Sequence, residues 1–376
     1  MSWEVKKLSD CCASIADGDH QAPPKSDSGV PFVTISNINT SNQFDFTDTM
    51  FVRQEYYDRL DSKRKAQKGD VLYSVVGTFG IPVYMKETVP FVFQRHIAIL
   101  RPNDTILPQF LYYTMLSRDF YMMADAAALG AAQRTISLTA LRNMKISVPP
   151  MDVQEKIVGV LSTYDDLIEN NQKQIKLLEE AAQRLYKEWF IDLRFPGHET
   201  TPIVDGVPVG WRRERIVDLV DVQYGYAFDG SLFNTAKNGM PIIRIRNIPS
   251  GNTDDYTTEE ADSQYIVHNG DILVGMDGEF HINSWSGPDA YLVQRTCSFR
   301  PNNSEMKGYL LQAIYEPIKY FENTVVGATV AHLGKKHIDT INVLTCPTNL
   351  YVPLQDYYEQ RQLLLNQNWL LAEARD

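Results

Sequence analysis

The sequence contains itself twice, and this limits what the chain can fold into more than any other feature. Trp3-Glu-Val-Lys-Lys-Leu8 is echoed by Trp211-Arg-Arg-Glu-Arg-Ile216. Val30-Pro-Phe-Val-Thr-Ile-Ser-Asn-Ile38 returns as Met240-Pro-Ile-Ile-Arg-Ile-Arg-Asn-Ile248, and Lys68-Gly-Asp-Val-Leu72 as Asn269-Gly-Asp-Ile-Leu273. Gln94-Arg95 matches Gln294-Arg295, and Arg101-Pro-Asn103 matches Arg300-Pro-Asn302. Gly130-Ala131 before Leu141 matches Gly327-Ala328 before Ile338. The offset drifts from 210 through 201 and 199 to 197, as a kept scaffold gives when its loops gain and lose residues. Phe32-Val-Thr-Ile and Val71-Leu-Tyr-Ser-Val-Val read as short strands in the first half, with Ile242-Ile-Arg-Ile and Ile272-Leu-Val as their echoes. Segments 108–124 and 308–323 read as helices.

Between the repeats the pattern changes. Ile157, Leu161, Tyr164, Ile168, Asn171, Ile175, Leu178, Ala182, Leu185 and Trp189 step alternately by four and three, a sustained heptad seam. The helix is expected to start after Pro149-Pro150, with Asp152 as N-cap and Glu155 as its capping-box partner. From Ile157 to Trp189 it would span about 48 Å at 1.5 Å per residue. One apolar stripe on so long a helix needs a partner. The C-terminal segment offers one, because Tyr357, Arg361, Leu364, Asn368 and Leu371 repeat the same step. Asn171 and Asn368 are polar seam residues of the kind that fix register. A plain linker or a homodimer coil is the competing account of the pattern.

These readings predict an α+β chain of two similar mixed α/β domains separated by two long antiparallel helices, a pseudo-two-fold dumbbell. Its parts are a first domain over 1–150, a central helix over 151–195, a second domain over 196–349 and a closing helix over 350–376. Such a spacer suits a two-part target on a helical polymer: on DNA, half-sites on one face lie about 34 Å or a multiple apart. It would equally fit a scaffold that grips two proteins.

Charge qualifies the DNA reading. The net charge is −11, and DNA-binding domains usually carry a basic surface. The four segments carry +1, −3, −7 and −2 in order, so the acidity sits mostly in the second half. The four cysteines form no CxxC pair, and the start has no apolar run of a signal peptide. Both point to a soluble, reduced, cytoplasmic protein with no membrane segment.

At this point the chain resembles the specificity subunit of type I restriction–modification systems along nearly its whole length. Asp17-Gly-Asp-His-Gln-Ala-Pro23, the Pro-Phe-Val-Thr-Ile-Ser-Asn-Ile strand and Lys-Gly-Asp-Val-Leu resemble that family's target recognition domain. Gly130-Ala-Ala-Gln-Arg-Thr-Ile-Ser-Leu138 and Met151-Asp-Val-Gln-Glu-Lys-Ile157 resemble its approach to the long helix. Trp189-Phe-Ile-Asp-Leu-Arg-Phe-Pro-Gly-His-Glu199 and Gly206-Val-Pro-Val-Gly-Trp211 resemble the join to its second domain. Leu370-Leu-Ala-Glu-Ala-Arg-Asp376 resembles its closing helix, which there runs a few turns further, so the helix here is expected to be a shortened one. The resemblance implies double-stranded DNA as target, each domain reading one half of a bipartite, asymmetric site. It implies two modification subunits on the helices, methylating adenine, and restriction subunits that cut. S-adenosylmethionine, ATP and Mg²⁺ are then expected on those partners, with no cofactor in this chain.

Candidate DNA-contacting residues follow from the repeat. Gln133, Arg134 and Thr135 occupy the polar loop after Gly130, and Thr329, His332, Lys335 and Lys336 the matching stretch after Gly327. Donor-rich side chains recur there with changed identities, as two readers of different sequences require. Arg244 and Arg246 read as one strand face, open to phosphate or guanine or simply solvated. Arg95 and Arg295, retained in both halves, read as phosphate contacts or structural ion pairs. Lys63, Arg64, Lys65 and Lys68 form the only basic run, a solvated face or a phosphate clamp. The seam residues Ile157, Leu161, Ile168, Asn171, Ile175, Leu178 and Leu185, with Leu364, Asn368 and Leu371, are the helix-pairing set.

Chemistry of the chain's own is not indicated. Ser147-Val-Pro-Pro-Met151 fails the adenine methyltransferase motif at both ends, and no P-loop occurs. Asp289 with Glu305 and Lys307 is spaced as in a metal-dependent nuclease, but the first half has no counterpart. The expected protein is non-catalytic, with a free-standing DNA-binding regulator or a protein-interaction scaffold as the alternative.

Overall fold

The computed structural model describes residues 3–18, 23–39, 42–77, 79–130, 134–324 and 331–375. The chain divides into two compact units, residues 1–165 with 375–376, and residues 166–374. No helix among the described residues is long and apolar enough to cross a membrane.

The first unit opens with Glu4–Lys7 paired antiparallel to Lys145–Val148. A four-stranded antiparallel sheet follows in the order Cys12–Asp17, Ile97–Pro102, Val71–Ser74 and Pro82–Tyr84. A smaller sheet pairs Val30–Val33 antiparallel with Met50–Val52 and parallel with Val92–Phe93, Phe32 facing Val92. The second unit repeats this plan. Arg212–Arg215 pairs with Asn342–Thr345, and its four-stranded sheet runs Val220–Tyr224, Thr296–Pro301, Ile272–Gly275 and Ile282–Ser284. Met240–Ile243 pairs parallel with Ala290–Leu292, Ile242 facing Tyr291. The entry turns match to the hydrogen bond: Leu8 donates to Met144 O and Ile216 to Ile341 O, at 2.9 and 2.8 Å.

The echoed motifs are now explained by what they touch. In Gly-Asp-Val-Leu and Arg-Pro-Asn the two charged residues bind each other. Arg101 grips Asp70 through Nε and Nη2 at 2.9 and 2.8 Å, and Arg300 reaches Asp271 through Nε at 3.2 Å. Gly18 and Gly225 pass so close to a neighbouring strand that a Cβ would lie 2.1 Å from the carbonyl oxygen of Phe93 or Val293.

Several local expectations change. The strands Val30–Val33 and Met240–Ile243 end earlier than their apolar pattern suggests. Asn37 and Asn247 accept from the backbone N–H of Thr34 and Arg244 at 2.9 and 2.8 Å, which curls the chain into 3-10 turns. Segment 108–124 is two helices, Pro108–Leu116 and Arg118–Ala127, because Ser117 caps the second by accepting from Phe120 N–H. Segment 308–323 breaks likewise, into Lys307–Ala313 and Tyr315–Thr324.

The long helix runs Met151–Tyr186 and continues as a π-turn over Lys187–Ile191. Asp152 is not its N-cap. It lies inside the first turn beside Lys156, and the Pro150 carbonyl takes the N–H groups of Val153 and Gln154 at 3.0 Å each. Ile157 and Leu161 pack on the core of the first unit, and Leu185 on that of the second. The closing helix is Val352–Arg375. Within the second unit Glu179 meets Arg361 at 2.7 Å and Asn171 meets Asn368 at 2.9 Å, so as one helix number rises the other falls and the pair is antiparallel. Ile175 and Asn171 are buried, while Ile168, Leu178, Leu364, Asn368 and Leu371 are half-buried.

Arg361 also bonds Ser284 Oγ and Asn283 Oδ1, both at 2.7 Å, tying the closing helix to the sheet. The chain after the π-turn folds back, and Phe190 and Phe195 cover Trp211 at ring distances of 5.2 and 4.7 Å.

Candidate nucleic-acid interface

In each unit three backbone segments converge at the end of the four-stranded sheet. In the first, the loop after the helix pair returns as residues 134–136. Gly77 N–H donates to Arg134 O, Ile136 N–H to Val75 O, and Val75 N–H to His96 O. In the second, Gly278 N–H donates to Ala331 O, Leu333 N–H to Met276 O, and Met276 N–H to Arg295 O. These bonds define which side chains are equivalent. Val76 corresponds to Asp277, Thr135 to His332 and His96 to Arg295.

That pairing corrects two sequence matches. Arg95 and Arg295 are not counterparts, because strand pairing of Ser74 with Ile97 and of Gly275 with Thr296 shifts the register by one residue. Lys335 and Lys336 are not equivalent to the Gln133–Thr135 stretch either. Counting on from Leu333, the counterpart of Ile136, they fall in the short helix Lys335–Ile338, with both side chains exposed. Gln133 and Thr329 lie outside the described residues, as do Asp19 to Ala22 of the opening motif.

Most of the remaining candidates have intramolecular partners. Arg134 pairs with Asp125 and lies over the Phe79 ring at 5.4 Å, with Tyr121 stacked on Phe79 at 5.8 Å. Arg95 is exposed, and burial with the Arg95 charge holds the neighbouring His96 imidazole below its ordinary value. Arg295 Nε lies 3.4 Å from Asp277, which also meets His332 Nδ1 at 2.5 Å.

Arg244 and Arg246 do not share a strand face. Arg244 precedes the 3-10 turn Ile245–Asn247 and lies over Phe233 at 5.7 Å, while Arg246 sits in that turn and grips Asp255 at 2.5 and 3.1 Å. The Asp255 hydrogen bonds hold the Arg246 guanidinium above its ordinary value. The basic run is partly folded in as well: Arg64 faces Asp17 at 3.6 Å and Lys65 donates to Asp58 O at 2.9 Å.

The acidic partners Asp125, Asp255 and Asp277 were missed by sequence reasoning. A signal existed only for Asp277, which breaks the repeat by standing where the first half has Val76. Two of the nuclease-like trio have partners outside it. Asp289 pairs with His268 at 2.9 Å and Lys307 donates to Gly270 O at 2.9 Å. No group of three metal-ligating side chains occurs among the described residues.

The fold therefore defines a class: a duplicated sheet-and-helix module, with long helices between and after its copies, whose two copies carry unlike side chains on one shared backbone junction. The sequence model of the type I restriction modification DNA specificity domain matches residues 1–180 and 208–349, and the chain belongs to that family. It is similar to the MjaIX specificity subunit of Methanocaldococcus jannaschii, 25% identical over 258 residues, 66% of this chain and 59% of that protein. It is also similar to the EcoBI specificity subunit of Escherichia coli, 30% identical over 166 residues, 44% of this chain and 33% of that protein. These matches thus span between a third and three fifths of the length of the two relatives. The crystal structure of the S subunit from M. genitalium shares the fold at a TM-score of 0.51, with 13% identity, covering 100% of this chain and 94% of that one.

Proposed function

We propose that the chain is the DNA-reading subunit of a type I restriction–modification complex. Each unit reads one half of a bipartite, asymmetric site in double-stranded DNA. The helices carry two modification subunits, which methylate adenine, and restriction subunits join them. S-adenosylmethionine, ATP and Mg²⁺ act on those partners, and this chain positions them without catalysing a step, in the cytoplasm.

One observation carries the reading within a family of DNA specificity domains. The two modules keep the same backbone hydrogen bonds at the junction yet exchange Val76 and Thr135 for Asp277 and His332. A scaffold held constant while an apolar and a hydroxyl side chain give way to a carboxylate and a partly open imidazole is what two readers of different half-sites need. The acidity of 196–349 suits a reader whose phosphate grip comes largely from other subunits.

Methyladenine mapping across the genome, in cells with and without the gene for this chain, tests the proposal. One two-part motif should lose methylation on deletion and regain it on complementation. Unchanged methylation at every motif would refute it.

A further inference from the structure

Three groups at the junction of the second unit form a cluster that the equivalent described residues of the first unit do not form. Asp277 Oδ1 meets His332 Nδ1 at 2.5 Å, and Asp277 Oδ2 lies 3.4 Å from Arg295 Nε. Arg295 adopts φ +71°, the left-handed conformation that a non-glycine residue avoids unless its surroundings impose it. All three side chains are partly open to solvent, at 31% for Asp277, 56% for Arg295 and 46% for His332. The equivalent residues of the first unit are Val76, His96 and Thr135, which offer no carboxylate and no guanidinium.

Beside an ionised Asp277, the distances select the tautomer of a neutral His332. His332 Nδ1 also lies 3.4 Å from Arg295 Nη1, but the carboxylate is far nearer. A neutral imidazole therefore carries its hydrogen on Nδ1 and donates it to Asp277, which leaves Nε2 as an acceptor. The Arg295 fork, its Nε turned to Asp277, keeps its terminal N–H donors. The cluster thus presents donors beside an acceptor. A guanine·cytosine pair presents the complement in the major groove: guanine N7 and O6 accept, and cytosine N4 donates. The carboxylate at the centre makes the cluster a poor phosphate clamp, since it repels an anion and tolerates the uncharged edge of a base pair.

We propose that Arg295 and His332, held in place by Asp277, read one guanine·cytosine pair in the half-site of the second unit. The proposal rests on the DNA-reading function given above. Asp277 is the positioning residue, and the equivalent described residues of the first unit, Val76, His96 and Thr135, form no such pair of carboxylate and guanidinium.

The test incubates the chain, assembled with the modification subunits proposed above, with a duplex library carrying 30 random base pairs, and sequences what is retained. The wild type should enrich a two-part motif. Arg295→Lys, which keeps the charge but loses the fork, should erase a G·C preference at one position of one half and leave the other half intact. Asp277→Ala should erase the same position. Each should weaken binding to the best wild-type duplex by about ten- to a hundredfold. Asp277→Asn, whose amide oxygen still accepts from His332, should recover part of the preference, which a residue serving only the fold would not do.

The intact half-motif reports that the variant is folded. Uniform weakening with an unchanged motif would make Arg295 a phosphate contact and overturn the proposal. So would loss at the same position after Asp277→Asn as complete as after Asp277→Ala. A wild type that enriches a two-part motif unaltered by all three variants sinks the reading head alone. A wild type that enriches no sequence sinks the DNA-reading function with it.

Discussion

Replacing Asp70 with Asn tests how the repeated scaffold is held. The Asp70 side chain is 1% exposed and accepts from Arg101 Nε at 2.9 Å, Arg101 Nη2 at 2.8 Å and Gln67 N–H at 2.9 Å. These bonds hold the Arg101 guanidinium above its ordinary value. Removing one partner of a buried pair costs about 3–5 kcal/mol, because the other charge is left uncompensated. Arg101 is 21% exposed and keeps its bond to Lys65 O at 2.9 Å, which argues for the lower end, about 3 kcal/mol. That corresponds to about two decades in an opening equilibrium, at 1.4 kcal/mol per tenfold.

Asp271→Asn should cost less, about 1–2 kcal/mol, because Arg300 gives Asp271 one bond at 3.2 Å and keeps another to Ile266 O at 2.5 Å. Hydrogen exchange read by mass spectrometry resolves the two. Amides of 71–74 should exchange about a hundredfold faster in Asp70→Asn, and those of 272–275 about tenfold faster in Asp271→Asn. Asp70→Leu with Arg101→Met, which removes both charges, should restore much of the protection. Exchange of 71–74 within threefold of wild type in Asp70→Asn would refute the reasoning, as would a double variant less protected than the single one.

Three further outcomes are expected. Phe190, 2% exposed among Trp211, Tyr309 and Tyr186, should cost about 3–5 kcal/mol as Phe190→Ala. It should be read as a lower urea midpoint at unchanged slope by tryptophan fluorescence; no midpoint shift would contradict the packing. Asn171→Leu with Asn368→Leu removes a polar pair on the helix seam and should raise the melting temperature, and a fall would argue against Asn as a register device bought with stability. Burial pushes the Cys12 and Cys346 thiols up to about 12, so both stay protonated at pH 8. Iodoacetamide should label them slowly in the native chain and rapidly in urea, and fast native labelling of either would count against that burial.

The two modules were legible because their motifs are short strands and charged pairs that recur in order. Gly-Asp-Val-Leu and Arg-Pro-Asn stand some 30 residues apart, yet both recur because Asp70 needs Arg101 and Asp271 needs Arg300. The helix seam was legible because a four-three step admits one apolar stripe. The junction was not. An alternating Arg244-Ile245-Arg246 looks like a strand until Asn247 captures a backbone N–H and curls the chain. Gln94-Arg95 and Gln294-Arg295 look equivalent until strand hydrogen bonds set the register one residue away.

By itself, then, the sequence determined the duplication, the long paired helices and the absence of familiar catalytic motifs, since each is written in local spacing. Tertiary structure alone decided which basic side chains already hold a carboxylate. Asp125, Asp255 and Asp277 lie 9, 9 and 18 residues from Arg134, Arg246 and Arg295. No periodicity links such pairs: turns and strand register bring them together, and an ion pair depends on distance in space.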